Sequence, residues 1–211
     1  MMIRRNKTKL ILTSVVILIP IIIGMILWNQ LPDTIATHWG VNNQPNGFSS
    51  KIFAVFGMPA VLLGIHWLCM IATTFDKKSK NMNPKVLSLV LWICPALSLL
   101  MSAIVYLTAL GKEIKVGFIV ILFMGLLFII IGNYLPKCKQ SYTMGIKLPW
   151  TLKDEENWNK THRFAGPLWV IGGVVIMATA IFESPIVFGV IVGVMVITPV
   201  VYSYLYYKNN R

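Results

Sequence analysis

Acidic side chains are scarce in this chain. Seven Asp and Glu stand against 19 Lys and Arg in 211 residues, and charged residues of both signs make up only 12% of the sequence, about half the ~25% usual for soluble domains. Cysteine is sparse as well. Cys69, Cys94 and Cys138 show no C-x-x-C spacing, which argues against a zinc-type cluster or a disulfide framework and suggests buried, inert thiols. Most telling is where charge is missing. Six stretches, Leu10–Trp28, Ile52–Phe75, Val86–Leu110, Val116–Leu135, Phe164–Phe182 and Ile186–Tyr206, contain no Asp, Glu, Lys or Arg.

About 20 mostly apolar residues suffice for a helix to cross the hydrocarbon core. Helix is the only local solution, because hydrocarbon offers the backbone no hydrogen-bond partner, and the stretches lack the polar–apolar alternation of barrel strands. The fold class expected is therefore all-α, a polytopic membrane bundle of six transmembrane helices. The N-terminal MMIRRNKTK resembles the start of a signal peptide, but the run behind it is longer than the ~7–15 residues of a signal core. With no small-x-small cleavage site after it, we read it as an uncleaved first span.

The cations choose a side. Arg4, Arg5, Lys7 and Lys9 precede the first span; Lys77, Lys78, Lys80 and Lys85 lie between the second and third; Lys137, Lys139, Lys147, Lys153, Lys160 and Arg163 lie between the fourth and fifth; Lys208 and Arg211 follow the last. Only Lys51, Lys112 and Lys115 fall on the other side. The positive-inside bias then places both termini in the cytoplasm. It also accounts for the net charge of +12 through membrane lipid, without direct nucleic-acid binding.

Three organisational blocks follow: 1–75, an N-terminal membrane module with an extracellular loop at 29–51; 76–135, a second helical hairpin; and 136–211, a cytoplasmic loop with the last two spans. Pro20, Pro59, Pro95 and Pro199 fall inside spans, and we read them as shaping helices rather than gating. Gly189 and Gly193 form a G-x-x-x-G read as an intramolecular packing site ahead of a dimer contact. His66, alone among the spans' side chains in being ionisable, is read as a neutral, hydrogen-bonded core histidine ahead of a proton relay.

Two long connections hold the remaining information. The outer one, LPDTIATHWGVNNQPNGFSSK, has a turn-rich stretch at Asn42, Asn43, Pro45, Asn46 and Gly47. It also sets a hydrogen-bonding ring, His38, beside a flat apolar one, Trp39. Either this loop holds a peptide ligand or it folds back on the mouth of the bundle. In the inner connection, Thr151 reads as a helix N-cap, with Asp154, Glu155 and Glu156 in the first turn and a Glu156–Lys160 pair at i, i+4. Trp158, Thr161, His162 and Ala165 share a face. We expect an interfacial helix from about Leu152 running into the fifth span, anchored at the headgroups by Trp150 and Trp158. It serves either as a docking surface or as a membrane-edge anchor.

These connections resemble the SdpI family of bacterial membrane proteins. The specific residues are Gly132-Asn133, Gly145-Ile146-Lys147-Leu148-Pro149-Trp150-Thr151-Leu152, Trp158, Thr161-His162-Arg163 and Gly166. Lys147 stands where many relatives carry Arg, which keeps the charge and loses the bidentate fork. The stretch from Leu31-Pro32 through His38-Trp39 to Ser50-Lys51 is similar to a front module of unknown function found in such proteins. The resemblance implies immunity to a secreted peptide toxin, combined with recruitment of a helix-turn-helix autorepressor to the membrane. It would assign His38, Trp39, Asn42, Asn43 and Asn46 to the toxin side. Lys147, Pro149, Trp150, Thr151, Trp158, Thr161, His162 and Arg163 would go to the cytoplasmic partner side. It brings no cofactor and no catalytic residues, and no acid–base pair can be assembled on one side of the bilayer. A small-molecule or ion transporter, or a membrane sensor without a toxin role, is the alternative.

Overall fold

The computed structural model describes residues 2–78 and 82–210; Lys80 and Arg211, two of the cations counted above, lie outside the described residues. Among the described residues, six helices are long and apolar enough to cross a membrane: Lys7–Ile26, Phe53–Phe75, Pro84–Ala109, Val116–Lys137, Glu155–Phe182 and Pro185–Asn209. Each contains most of an uncharged stretch identified in the sequence. The chain divides into two compact units, Met1–Phe75 with Leu87–Val116, and Asp76–Val86 with Gly117–Arg211.

The first unit holds a short helix α1 (Met2–Arg5), α2 (Lys7–Ile26), a hairpin of β1 (Thr34–Trp39) and β2 (Pro45–Ser50), α3 (Met58–Phe75) and most of α4 (Pro84–Ala109). Among the described residues, no buried side-chain polar atom lacks a hydrogen-bond partner. Ser98 of α4 donates its hydroxyl to the Ile17 carbonyl at 2.9 Å and Tyr106 to the Pro20 carbonyl at 3.0 Å. His66 Nε2 lies 2.9 Å from the Thr13 hydroxyl, as a hydrogen-bonded core histidine should. Helix α2 continues through Pro20 and α4 through Pro95. Pro59 cannot offer an N–H to the Val55 carbonyl four residues back, and there the ladder widens into a π-helical turn, Phe53–Gly57. Cys94 is buried, whereas Cys69 is exposed on α3, contrary to the burial expected of it.

The hairpin was not expected. Its strands pair antiparallel, with Thr34 opposite Ser50, Ile35 opposite Ser49 and Ala36 opposite Phe48. The turn is confined to Gly40–Gln44, with Gly40 N–H on the Gln44 carbonyl and Asn43 at φ 61°, a left-handed conformation that Asn tolerates. Pro45, Asn46 and Gly47, read in the sequence as part of the turn, belong to β2. Ile35 is 1% exposed and anchors the hairpin in a cluster with Leu31, Ala54, Val55, Val105 and Tyr106. Lys51 fixes its base: Nζ lies 3.1 Å from Asp33 Oδ1, donates to the Trp28 carbonyl at 3.2 Å and sits over the Trp28 ring. Because the Asp33 carboxylate is fully exposed, the carbonyl bond and ring contact matter more than the ion pair.

The second unit is built on α5 (Val116–Tyr134), α6 (Pro149–Lys153), α7 (Glu155–Thr179) and α8 (Pro185–Asn209). Helices α5 and α7 approach backbone to backbone. A Cβ on Gly125 would lie 2.8 Å from the Gly173 carbonyl oxygen, and one on Gly132 would lie 2.8 Å from that of Gly166. Both glycine pairs are seven residues apart along their helices, so one antiparallel seam uses all four. Helix α8 meets α7 through Met195, whose carbonyl accepts the Trp169 indole N–H at 3.0 Å. The G-x-x-x-G at Gly189 and Gly193 does not serve as the intramolecular packing site, since nothing lies within 4 Å of a Cβ built at either.

Replacing Gly173 by Leu should therefore destabilise the protein by about 1–3 kcal/mol or more through overpacking, while Gly189→Leu should leave it unchanged. Thermal unfolding in detergent, followed by loss of the monodisperse elution peak, separates the two.

Candidate functional surfaces

The connection between α5 and α7 is an ordered structure held from several directions. Asp76, the residue after α3, is 6% exposed. Its Oδ2 accepts the Ser141 hydroxyl at 2.6 Å, the Tyr142 and Thr143 N–H groups at 2.9 and 3.1 Å, and the Thr143 hydroxyl at 3.0 Å, while Oδ1 accepts the Lys78 N–H at 2.8 Å. Burial by itself raises this carboxyl's pKa, but the Ser141, Lys78, Thr143 and Tyr142 donors outweigh it and hold the group below its ordinary value. The carboxylate form is thus the one that organises the loop, and its contribution is lost only as pH falls through that lowered value.

Beyond this clamp the chain turns at Gly145, φ 108°, where a Cβ would lie 2.6 Å from both His162 Nε2 and the Trp158 ring. Only glycine permits both the left-handed backbone and the contact. The next residue, Ile146, donates its N–H to His162 Nε2 at 2.9 Å, and His162 Nδ1 donates to the Trp158 carbonyl at 2.8 Å. These two bonds require the neutral ring with its proton on Nδ1. The Trp158 and His162 rings stack with centroids 4.1 Å apart, and the Trp158 indole donates to the Cys138 carbonyl at 2.8 Å. Trp158 is 0% exposed, so it anchors the loop rather than the headgroup interface. Burial also raises the pKa of the Cys138 thiol, to about 11, leaving it an inert neutral group.

Thr151 is not the N-cap of the long helix. It is the third residue of α6, accepts the Leu148 N–H at 2.9 Å and reaches the Ile146 carbonyl at 3.0 Å. The cap of α7 is Asp154, which accepts the Glu156 N–H at 2.8 Å, and α7 then runs without a break through Pro167 to Thr179. The Glu156–Lys160 pair forms at 2.9 Å. The expected face of Trp158, Thr161, His162 and Ala165 is buried throughout. Trp150 donates to Ser203 Oγ at 2.9 Å and packs on Tyr204 and Tyr207. Asn157 donates to the Ser203 carbonyl at 3.0 Å and accepts from Thr161 at 3.0 Å.

The eight residues assigned to the partner side therefore divide. Thr151, Trp158, Thr161 and His162 are enclosed and hold the loop's shape, Trp150 is half-buried, and Lys147, Pro149 and Arg163 are exposed. Asp76, Gln140, Ser141, Thr143, Asn157 and Ser203 were not identified from the sequence. Gln140 donates to the Thr151 and Leu152 carbonyls and accepts from Lys78.

On the hairpin, His38 is exposed and its Nδ1 lies 2.5 Å from Asn46 Oδ1. Trp39 instead packs against the apolar cluster below. Asn42 accepts the Gln44 N–H at 3.2 Å and Asn43 donates to the Ile114 carbonyl at 3.4 Å. A cleft of about 750 Å³ opens between the hairpin and the connection that follows α4, within the 300–1,000 Å³ usual for ligand sites. Trp39 and Asn43 line it; His38, Asn42 and Asn46 do not.

Replacing Asp76 by Asn keeps the shape but sets an amide donor against the loop's donors. The expected cost is about 2–3 kcal/mol, the scale of hydrogen bonds to a charged group. Hydrogen exchange should accelerate at residues 141–147 with the hairpin's exchange unchanged.

Residues 137–203 match the SdpI/YfhL protein family, and residues 15–63 match DUF1648, a domain of unknown function. The immunity protein SdpI of Bacillus subtilis (strain 168) is 29% identical over 209 residues, which cover 95% of this chain and 97% of that protein. No solved structure matches the chain. The first family match covers the clamped loop with α6, α7 and most of α8, and the second covers the hairpin with the later part of α2 and the start of α3. The chain is therefore a six-helix membrane protein similar to the SdpI/YfhL family over residues 137–203 and to DUF1648 over residues 15–63.

Proposed function

We propose that this protein protects its cell from a secreted peptide toxin and reports the encounter by recruiting a helix-turn-helix autorepressor to the membrane. The observation that carries the reading is the similarity to an immunity protein over 95% of the chain, which includes both the hairpin and the clamped loop. On this reading the termini are cytoplasmic, the hairpin faces the toxin and the 138–154 loop faces the repressor. The cation distribution supports that orientation. The work is binding rather than catalysis.

The clamped loop suits a docking role because its backbone shape is set by buried groups while Lys147, Pro149 and Arg163 are exposed. A partner would meet those three residues and the open edge of Trp150. Thr151, Trp158, Thr161 and His162 would act through the shape they impose. The hairpin suits a ligand-facing role because it stands on a buried base and carries Val41 and Phe48 exposed.

Expression in a strain sensitive to Sdp-type toxins tests the first half. Survival should rise at least tenfold over an empty vector, and unchanged killing by every such toxin would remove the immunity role. Fractionation tests the second half: a co-expressed autorepressor should move to the membrane fraction on toxin exposure, and should stay soluble with Lys147→Glu/Arg163→Glu.

A further inference from the structure

The cleft beside the hairpin has a composition that selects its occupant. Its hairpin wall carries two cross-strand pairs, Ala36 with Phe48 and Trp39 with Pro45. Ala36, opposite Phe48 in the ladder, is the small residue of that wall. Phe48 is 60% exposed, a large apolar ring held open at the edge of a cavity. The opposite wall is the connection after α4, where Lys112 and Lys115 stand against the single acid Glu113. One end is bridged by the hydrogen bond from Asn43 to the Ile114 carbonyl. Apolar rings, neutral amide and hydroxyl groups and lysine side chains thus share one cavity.

We propose that this cleft binds an extended apolar peptide segment bearing a carboxylate; the inference rests on the immunity reading for the source of that peptide. Each wall matches a part of such a ligand. Ala36, Trp39 and Phe48 take apolar side chains. The Gln44 side chain can bond a peptide backbone but has no use for an acyl tail. Lys112 meets the carboxylate. The two-stranded sheet also leaves one edge of each strand unpaired, and an extended chain is the ligand that such an edge orders.

The test uses the full chain in nanodiscs and two fluorescent probes: an Sdp-type toxin, and a synthetic apolar peptide ending in a free carboxylate. Ala36→Trp puts a bulky ring in the cleft wall and should weaken binding of both probes at least tenfold. Lys112→Glu should weaken binding three- to tenfold and flatten its salt dependence, and amidating the synthetic peptide should reproduce that loss. Val61→Ala, an exposed position on α3 outside the cleft, should change nothing. Phe48→Ala serves as a second cleft variant if Ala36→Trp misfolds, and should cost three- to tenfold. Wild-type affinity in a folded cleft variant, or no binding of either probe by the wild-type chain, overturns the proposal. Cleft-dependent binding without protection of cells would uphold the cleft and remove the immunity reading. Protection that survives Ala36→Trp would do the reverse.

Discussion

Hydrocarbon cannot hydrogen-bond a peptide group, and that constraint shapes this chain from end to end. Its residues that enter the bilayer form helices, and buried polar side chains among them find partners: Thr13 with His66, Ser98 with the Ile17 carbonyl and Tyr106 with the Pro20 carbonyl. Where a proline removes a donor, the helix either runs on, as at Pro20, or widens by one residue, as before Pro59. Irregular backbone is left to the connections, and the two long ones are folded structures in their own right.

Each long connection is secured by one charged side chain acting on backbone groups. Lys51 caps the Trp28 carbonyl beyond the end of α2 and so fixes the hairpin's base. Asp76 gathers the N–H groups of Tyr142 and Thr143 and so fixes the start of the 138–154 loop. The signs follow from the backbone: a helix's C-terminal end presents carbonyls and attracts a cation, whereas a loop presenting N–H groups attracts an anion. The glycines act in the same economical way, Gly145 admitting the Trp158–His162 pair and the four seam glycines admitting α5 to α7.

The spans were legible because uncharged runs of this length have one low-cost solution, and their observed bounds differ from the expected ones mostly by a few residues. The fifth departs most, since the polar start of α7 continues unbroken into the apolar run. The buried face of α7 was legible too, from the spacing of Trp158, Thr161, His162 and Ala165. What fills the space against that face was not. Gly145 reaches His162 across 17 positions, and Asp76 reaches its donors across 65 to 67, separations at which local periodicity carries no signal. The hairpin was missed because β2, Pro-Asn-Gly-Phe-Ser-Ser, is composed of turn-forming residues and takes its strand form from pairing with β1. The glycine seam was missed because its spacing is seven, while the conspicuous G-x-x-x-G has an open face.

The account depends on the two long connections lying on opposite sides of one membrane. In a cysteine-free background, single cysteines at Asn42 and Asp154 can be challenged in intact cells with a membrane-impermeant maleimide. The expected result is labelling of the Asn42 position in intact cells and of the Asp154 position only after permeabilisation. Labelling of both in intact cells would contradict the six-span arrangement and the roles built on it.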